Sequence, residues 1–322
     1  MAAMRVLVAG AGALGTCYAA LLGRAGADVW VLVRPERAAA FPRRLRCTGL
    51  IEAEAPVEVV TSGREAKQAD YVLVTTKTSD SAGVLAALRG VDAGAVLSLQ
   101  NGLGKNEALA GAFGRERVLG AACVVGAALL APGHAELTLN AATWVGELDG
   151  TSSARVARLA AVLRAAGFPS WSVPHIQAVE WYKLCALLPG ALATALSRRT
   201  YAEMALHPHL ARLFVQIMRE TFGVAAAHGH EIADPPGAPW QFGAWLAQSD
   251  EVALAGLRAI GERQRQAGLQ VRPSLLQDVL AQRRTEVEDT AGDLVRRARQ
   301  AGVPMPVTET CYRLLRGLED GF

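Results

Sequence analysis

Three glycines near the start of the chain are the first residues whose type and spacing suggest chemistry. They stand in Gly10-Ala11-Gly12-Ala13-Leu14-Gly15, after an apolar run from Met4 to Ala9 and before an alanine- and leucine-rich stretch that reaches about Arg24. A strand, a glycine loop and a helix in this order, followed by a second strand from Asp28, are typical of a unit that binds a dinucleotide.

Each position of this loop suits a different part of a nucleotide. Gly10 permits a tight turn, Gly12 lets the backbone approach a pyrophosphate, and Gly15 allows the helix to pack closely on the strand. The amides of Ala13 and Leu14 belong to the first turn of the predicted helix, whose positive dipole end attracts phosphate. These residues form a predicted cofactor site, and the alternative is a tight turn with a purely structural role.

The end of the second strand distinguishes NADP from NAD. An NAD site usually places Asp or Glu there for the ribose 2′-hydroxyl, whereas an NADP site supplies Arg. The strand Val29–Val33 runs into Arg34, with Arg37 one turn later, and Glu36 lies beyond the strand end. We therefore predict NADP as the cofactor, with Arg34 in the site; the alternative is a surface arginine that only ends the strand.

Two further loops follow predicted strands, at the sheet edge where ligands bind in doubly wound sheets. Thr75-Thr76-Lys77 ends one strand and Gln100-Asn101-Gly102 ends the next. Lys77 and Asn101 are therefore expected on the nicotinamide side of the cofactor. The alternatives are a solvated helix start for Lys77 and an ordinary turn at Asn101-Gly102, because Asn-Gly favours positive φ.

Lys183 stands in a largely apolar stretch with no further charge until Arg198. A lysine on an apolar helix face is costly unless it is paired or used. Such a lysine could protonate a carbonyl oxygen as hydride reaches the carbon, or stabilise the developing oxyanion. The alternative is a lysine that extends its ammonium group to solvent. Only four of the 33 basic residues are lysine, so a lysine here suggests a need for a titratable amine.

Two polar segments lie near the C-terminus. Ser274 begins Ser274–Asp278, and Glu286 lies in Thr285–Glu288. From the residues alone, a role in a functional site is no better supported than a structural one. Ser274 could be a helix N-cap, and Glu286 could be a solvated charge on a helix.

Composition excludes several classes of protein. A net charge of +3, without a basic run interleaved with aromatic residues, argues against nucleic acid as a partner. No apolar stretch reaches the roughly 18 residues of a membrane helix, because Pro189 and Gly190 interrupt the longest one. No signal peptide is visible, so we expect a soluble, cytoplasmic protein.

The cysteines and histidines indicate a reducing compartment and no metal site. The five cysteines are scattered without a CxxC pair, which favours free thiols in a reducing compartment. The pairs His228/His230 and His207/His209 lack the spacing and the third ligand of a zinc site, so no metal is expected.

The order of elements predicts two domains. Strands near residues 4–9, 28–33, 71–75, 95–99, 118–125 and 143–146, separated by helices, indicate an α/β fold with a doubly wound parallel sheet of Rossmann type. Helical segments near 176–196, 203–228, 240–266 and 274–301 indicate a C-terminal all-helical domain. We predict a cofactor domain over 1–174 and a helical substrate domain over 175–322.

With these residues assembled, the chain resembles the ketopantoate reductase family. The family's N-terminal signals are similar to the glycine loop, Arg34, Lys77 and Asn101-Gly102. Its C-terminal motifs are similar to Trp181–Leu184, Ser274–Asp278 and Thr285–Val287. The resemblance extends over the whole chain.

The resemblance implies NADPH-dependent reduction of a 2-oxo acid to a 2-hydroxy acid, as in pantothenate biosynthesis. It makes Lys183 the general acid and Glu286 a second catalytic residue that orients substrate or cofactor hydroxyls. Ser274 would bind the substrate carboxylate, and Lys77 and Asn101 would contact both cofactor and substrate. The family contains monomers and homodimers, so both assembly states are compatible with the resemblance.

The chain departs from the family where asparagines are usual. Leu187, Ala191, Val271 and Ala291 occupy such positions. Loss of amides makes the substrate pocket more apolar, which gives a second hypothesis: a paralogue that reduces a different, more apolar carbonyl compound. A third hypothesis is an NADP-binding sensor without catalysis, against which the presence of both Lys183 and Glu286 argues.

Overall fold

The computed structural model describes residues 3–322, which divide into two compact units. Unit 1 contains the residues up to Gln100 together with Gly104–Gln177 and Pro236–Pro239. Unit 2 contains Asn101–Leu103, Ala178–Pro235 and Trp240–Phe322. The short segment that carries Asn101 therefore belongs with the helical part of the chain.

Unit 1 is built on one mixed sheet. Its strands are β1 (Arg5–Ala9), β2 (Asp28–Leu32), β3 (Arg44–Gly49), β4 (Ala53–Pro56), β5 (Glu58–Val60), β6 (Gln68–Val74), β7 (Asp92–Ser98), β8 (Val118–Ala131), β9 (His134–Glu147) and β10 (Ser170–Ser172). They lie in the order β4-β3-β9-β8-β7-β6-β1-β2-β5, and β10 pairs with β9.

The register of the central strands aligns the loops that follow them. β1 pairs in parallel with β2 and β6, so that Ala9 lies opposite Leu32 on one side and Val74 on the other. β6 pairs in parallel with β7, which places Ser98 opposite Val74. The loops after β2, β1, β6 and β7 consequently emerge at the same edge of the sheet, as the sequence predicts.

Helices accompany this sheet, and the longer ones, such as α1 (Ala13–Arg24) and α6 (Ala154–Ala166), bury apolar residues. In chain order the helices are α1, α2 (Pro35–Ala38), α3 (Gly63–Ala66), α4 (Ser81–Ala87), α5 (Lys105–Phe113) and α6, with 3₁₀ turns at Thr78–Asp80 and Arg115–Arg117. Buried residues fill α1 from Gly15 to Leu22. The ring of Tyr18 on α1 stacks on Phe168 at 4.0 Å between centroids.

The predicted Rossmann-type α/β class is confirmed, with a sheet more mixed than the sequence indicates. The predicted strands near 118–125 and 143–146 are parts of the longer antiparallel strands β8 and β9, joined at Pro132-Gly133. Strands β3, β4, β5 and β10 were not predicted. β3, for example, alternates arginines with buried Leu45 and Cys47, which makes its apolar signal weak.

Unit 2 is helical throughout its described residues. Its elements are α7 (Ile176–Ser197), α8 (Tyr201–Leu206), α9 (Pro208–Ala227), α10 (Phe242–Leu246), α11 (Asp250–Gln266), α12 (Ser274–Leu280), a π-helical turn (Glu288–Gly292), α13 (Asp293–Gln300) and α14 (Pro306–Glu319).

Three predicted helices are shorter in the structure. The segment 203–228 divides at His207, which is extended because Pro208 follows it. The segment 240–266 contains two helices, and the second begins after Ser249. The segment 274–301 divides after α12, where Gln282 has a φ of 51°. Helix α14 was not predicted at all.

No helix within residues 3–322 is both long enough and apolar enough to cross a membrane.

Candidate active site

In the glycine loop of unit 1, neighbouring atoms leave no room for a side chain at two of the three glycines. Gly10 has a φ of 112°, and a Cβ there would lie 2.6 Å from the Cγ2 of Thr76. A Cβ on Gly15 would lie 1.9 Å from the carbonyl oxygen of Gly10. A Cβ on Gly12 would meet nothing within 4 Å. Gly10 and Gly15 are thus required for packing, whereas Gly12 leaves open space beside its backbone.

The first turn of α1 offers donors next to that space. Gly12 is the N-cap residue, and Ala13 and Leu14 open the helix, so their amides have no intrahelical acceptor. The first turn carries no acidic side chain that would repel an anion. The loop and the helix start therefore fit the pyrophosphate of a dinucleotide.

Arg34 lies two residues after the end of β2 and is the N-cap residue of α2. Its Nη2 lies 3.0 Å from Oδ1 of Asp80, and both side chains are exposed. Glu36 and Arg37 are exposed on α2. A guanidinium at this strand end fits a 2′-phosphate, but it already has an anionic neighbour in unit 1.

Gln100 fixes the loop that carries Lys77. Its Nε2 donates to the carbonyl oxygen of Lys77 (3.1 Å) and to the hydroxyls of Thr76 (3.2 Å) and Ser81 (3.0 Å). Its Oε1 accepts from the Ser98 hydroxyl at 2.9 Å. The Lys77 side chain itself is exposed. The sequence indicated the loop but gave Gln100 no role; a polar amide ending an apolar strand was the available signal.

Lys105 is a second residue that sequence reasoning missed. It is 7% exposed, and its Nζ donates to the carbonyl oxygens of Gln100 and Ala121. These bonds fix the end of β7 to β8 in unit 1. Scarcity of lysine in the chain was the only sequence signal for it.

Three predicted site residues meet in unit 2. Lys183, on α7, donates from Nζ to Oδ1 of Asn101 at 2.9 Å. Nδ2 of Asn101 lies 3.5 Å from Oε2 of Glu286, at the outer limit of a hydrogen bond. Lys183 is partly buried and Glu286 is buried. The amide of Asn101 thus stands between an ammonium and a carboxylate, with its two ends oriented to suit both.

The conformation of Gly102 explains why Asn101 lies beside Lys183 and Glu286. Its φ is 85°, and a Cβ would lie 2.5 Å from the carbonyl oxygen of Asp289 in the π-helical turn. The turn tendency of Asn-Gly and the role of Asn101 are therefore compatible, because the turn itself brings the amide to Lys183 and Glu286.

Buried hydrogen bonds hold the segment around Glu286. Glu319, at the end of α14, accepts from the backbone amide of Thr285 at 2.7 Å and from its hydroxyl. The hydroxyl of Thr290 donates to the carbonyl oxygen of Glu286 at 2.8 Å. Glu319 is 2% exposed, and no sequence signal separated it from the other acidic residues of that helix.

Tyr182 and Cys185 flank Lys183 but are poor proton donors. Burial raises the pKa of Tyr182 well above its usual value, and its hydroxyl donates to the carbonyl oxygen of Trp240 at 2.6 Å. Burial raises the pKa of Cys185 to about 12. All five cysteines are buried and free.

Ser274 is the first residue of α12, and Pro273 occupies the N-cap position. The N-cap interpretation of Ser274 is therefore wrong. Within residues 3–322 its hydroxyl makes no hydrogen bond, and no hydrogen bond joins it to the Lys183, Asn101 and Glu286 cluster.

The four positions that depart from the family differ in exposure. Leu187 and Ala191 follow Lys183 by one and two turns of α7; Leu187 is partly exposed and Ala191 is 1% exposed. Val271 is partly exposed, and Ala291 lies buried in the π-helical turn. Of the two positions on α7, Leu187 is nearer to Lys183 and has the more accessible side chain.

His228 and His230 pack against the ring of Trp181, each at 5.8 Å between centroids. Burial, with His228 and Arg297 nearby, lowers the pKa of His230. In the described part of the chain no group of three or more His, Cys, Asp and Glu side chains is arranged to hold a metal ion.

The sheet and its glycine loop define a Rossmann-type nucleotide-binding fold. Two family models match the chain: ketopantoate reductase PanE/ApbA over residues 6–150, and its C-terminal counterpart over residues 175–319. A 2-dehydropantoate 2-reductase of Archaeoglobus fulgidus is 33% identical over the full length of both chains. The chain belongs to the ketopantoate reductase PanE/ApbA family.

Solved structures agree with this assignment. A 2-dehydropantoate 2-reductase from Geobacter metallireducens superposes with a TM-score of 0.83 at 26% identity, over 98% of this chain and 99% of that one. A PanE/ApbA family ketopantoate reductase from Ralstonia eutropha gives a TM-score of 0.80 at 26% identity, over 99% of both chains. The family comprises pyridine-nucleotide oxidoreductases, which agrees with the predicted class of enzyme.

Proposed function

We propose that the protein reduces a 2-oxo acid to a 2-hydroxy acid with NADPH. The observation that carries the proposal is the cluster in unit 2, where Asn101 lies between the ammonium of Lys183 and the carboxylate of Glu286. A sensor that only binds NADP has no need of a lysine held in this way. The resemblance to relatives named 2-dehydropantoate 2-reductase supports the same reaction and a place in pantothenate biosynthesis.

The residues of unit 1 fit the cofactor. The open space at Gly12 and the amides of Ala13 and Leu14 would take the pyrophosphate, and Arg34 the 2′-phosphate. Lys77, on the loop fixed by Gln100, would lie toward the nicotinamide. NADPH bound there supplies a hydride for the carbonyl carbon of the substrate.

Lys183 acts as the general acid. Its ammonium gives a proton to the carbonyl oxygen as negative charge develops on it, and water later returns a proton to the amine. Asn101 accepts a hydrogen bond from Nζ and so directs the remaining N–H bonds. Glu286, a catalytic residue in this proposal, accepts from a substrate hydroxyl or from the Asn101 amide.

Polar and charged side chains are proposed to bind the substrate. Ser274 has a hydroxyl at the start of α12 that can donate to the substrate carboxylate. Lys77 and Asn101 provide further polar contacts. We propose a cofactor domain over 1–174 and a substrate domain over 175–322, in a cytoplasmic enzyme that is a monomer or a homodimer.

A more apolar carbonyl substrate is the second candidate. Leu187, one turn from Lys183, presents an alkyl side chain where an amide would offer hydrogen bonds. A 2-oxo acid with an alkyl chain would suit this surface better than one with a hydroxyl group.

A substrate panel distinguishes the candidates. NADPH oxidation would be measured with ketopantoate, unsubstituted alkyl 2-oxo acids and aliphatic ketones, with identification of the product. Turnover of ketopantoate with a KM as low as that for the alkyl compounds supports the proposal and a place in pantothenate biosynthesis. A clear preference for unsubstituted alkyl 2-oxo acids or for ketones supports the second candidate. NADPH binding without turnover of any compound would support the sensor hypothesis.

A further inference from the structure

An ion pair joins two of the loops at the cofactor edge of unit 1. Arg34 follows β2, and Asp80 ends the 3₁₀ turn after β6; their Nη2 and Oδ1 atoms lie 3.0 Å apart. The side chains remain 59% and 47% exposed, so a ligand can reach both.

The position of this pair in the sheet is informative. β2 and β6 are the two neighbours of β1, and the glycine loop follows β1. The pair therefore spans the two loops on either side of the glycine loop. In doubly wound sheets the ribose of a dinucleotide binds beside the loop that follows the second strand.

A carboxylate and a guanidinium at this place have opposite preferences. An arginine favours the 2′-phosphate of NADP, whereas a carboxylate accepts a hydrogen bond from the 2′-hydroxyl of NAD. The end of β2 lacks a carboxylate, which is why the sequence predicts NADP. The structure brings one to the same guanidinium from the loop after β6.

We propose that Asp80 reduces the preference for NADPH over NADH that Arg34 gives this protein. In the free protein its carboxylate binds Arg34, and on NADPH binding it competes with the 2′-phosphate for the guanidinium and repels it. With NADH the carboxylate has a hydroxyl to bind. The protein accordingly discriminates between the two cofactors less than Arg34 alone would allow. This inference rests on the proposed function, because it requires the dinucleotide site.

The expected size of the effect follows from the exposure of the pair. Exposed ion pairs typically contribute about 0.2–1 kcal/mol, so removal of the competing charge should tighten NADPH binding about 1.4- to fivefold. Because exposed charges are screened by salt, the effect should shrink as ionic strength rises.

The test compares Asp80→Asn with a matched variant elsewhere in unit 1. Asp92, at the start of β7, pairs with Arg117 at 3.1 Å and is also exposed. Its position at the opposite end of the strands makes Asp92→Asn a control for loss of one surface charge. Dissociation constants for NADPH and NADH would be measured by fluorescence titration at low and high salt for both variants and for Arg34→Ala.

Asp80→Asn should bind NADPH more tightly at low salt and NADH no more tightly, while Asp92→Asn changes neither. An Asp80→Asn variant that matches Asp92→Asn, or that binds NADPH more weakly, would overturn the inference even if Arg34→Ala loses NADPH. If Arg34→Ala binds NADPH as the wild type does, the proposed 2′-phosphate site itself is wrong, and the role of Asp80 fails with it.

Discussion

At the residue scale, the side chain of Asn101 contacts both Lys183 and Glu286 in unit 2. Asn-Gly after a strand is an ordinary turn signal, and Gly102 does adopt a positive φ. The same turn places the Asn101 amide between Lys183 and Glu286. The structure therefore supports a role in the site without removing the turn, and the two interpretations are compatible.

Gly12 and Gly15 allow a separation of cofactor binding from folding. Gly12→Ala adds a methyl group to open space and should leave the free energy of unfolding nearly unchanged. The methyl group stands where a pyrophosphate would approach, so NADPH affinity should fall by about tenfold or more, equivalent to about 1.4 kcal/mol. Denaturant unfolding and NADPH titration on the same protein would measure both quantities.

Gly15→Ala is the matched variant with the opposite expectation. Its Cβ would lie 1.9 Å from a backbone oxygen, so the protein should lose about 1–3 kcal/mol of stability or more. Equal stability losses in the two variants, or unchanged NADPH affinity in Gly12→Ala, would contradict the assignment of the glycine loop.

At the scale of elements, the π-helical turn and α14 hold the segments that carry Asn101 and Glu286. π-helical turns occur frequently at functional sites. Here the turn contacts Gly102 through Asp289, and α14 supplies the buried Glu319 that binds Thr285. Glu286 lies between these two attachments along the chain, so its position depends on both.

Glu319→Ala should disturb this support. It leaves the partly buried Thr285 amide without its acceptor, at a cost of about 1 kcal/mol or more in stability. Because Glu286 follows Thr285 directly, kcat should fall while the dissociation constant for NADPH stays the same. Thermal unfolding, steady-state kinetics and NADPH titration would test these three points.

Glu309→Ala provides the comparison on the same helix. Glu309 forms exposed pairs with Arg299 and Arg313, which are expected to contribute little. If Glu319→Ala lowers stability but keeps the wild-type kcat at a temperature where it is folded, Glu319 has a structural role only.

Some elements and site residues could be predicted from the sequence and others could not. The glycine loop, the aligned strands and the long α7 were predicted, because local apolar periodicity and glycine chemistry determine them. Gln100, Lys105 and Glu319 were missed, because their roles depend on partners 16 or more residues away or on loops of neighbouring strands. The end of α12 at Leu280 was missed because no glycine or proline marks it; Gln282, two residues later, adopts the positive φ instead.

For the whole molecule, the substrate preference follows from the polarity of the residues near Lys183. Ketopantoate carries a hydroxyl group, and the alkyl side chain of Leu187, one turn from Lys183, offers it no hydrogen bond. We expect a KM for ketopantoate about two- to twelvefold above that for an alkyl 2-oxo acid, because a lost hydrogen bond costs about 0.5–1.5 kcal/mol.

Leu187→Asn should narrow this difference by lowering the KM for ketopantoate. Leu314→Asn, at an exposed leucine of α14, is the control for adding an amide to a helix surface. A low-micromolar KM for ketopantoate in the wild type would show that other groups satisfy the substrate hydroxyl, and the case for a more apolar substrate would fail.

In the proposed reaction the molecule is a reductase with Lys183 as its proton donor. The most direct measurement is kcat for NADPH-dependent reduction of the best 2-oxo acid, in the wild type, Lys183→Ala and Lys183→Arg, together with NADPH affinity. We predict a loss of about 10²–10⁴-fold in kcat for Lys183→Ala with NADPH affinity unchanged. Lys183→Arg should not restore the rate, because a guanidinium does not release its proton near neutral pH. A wild-type kcat/KM in Lys183→Ala would contradict this role for Lys183 and leave the reaction without its acid.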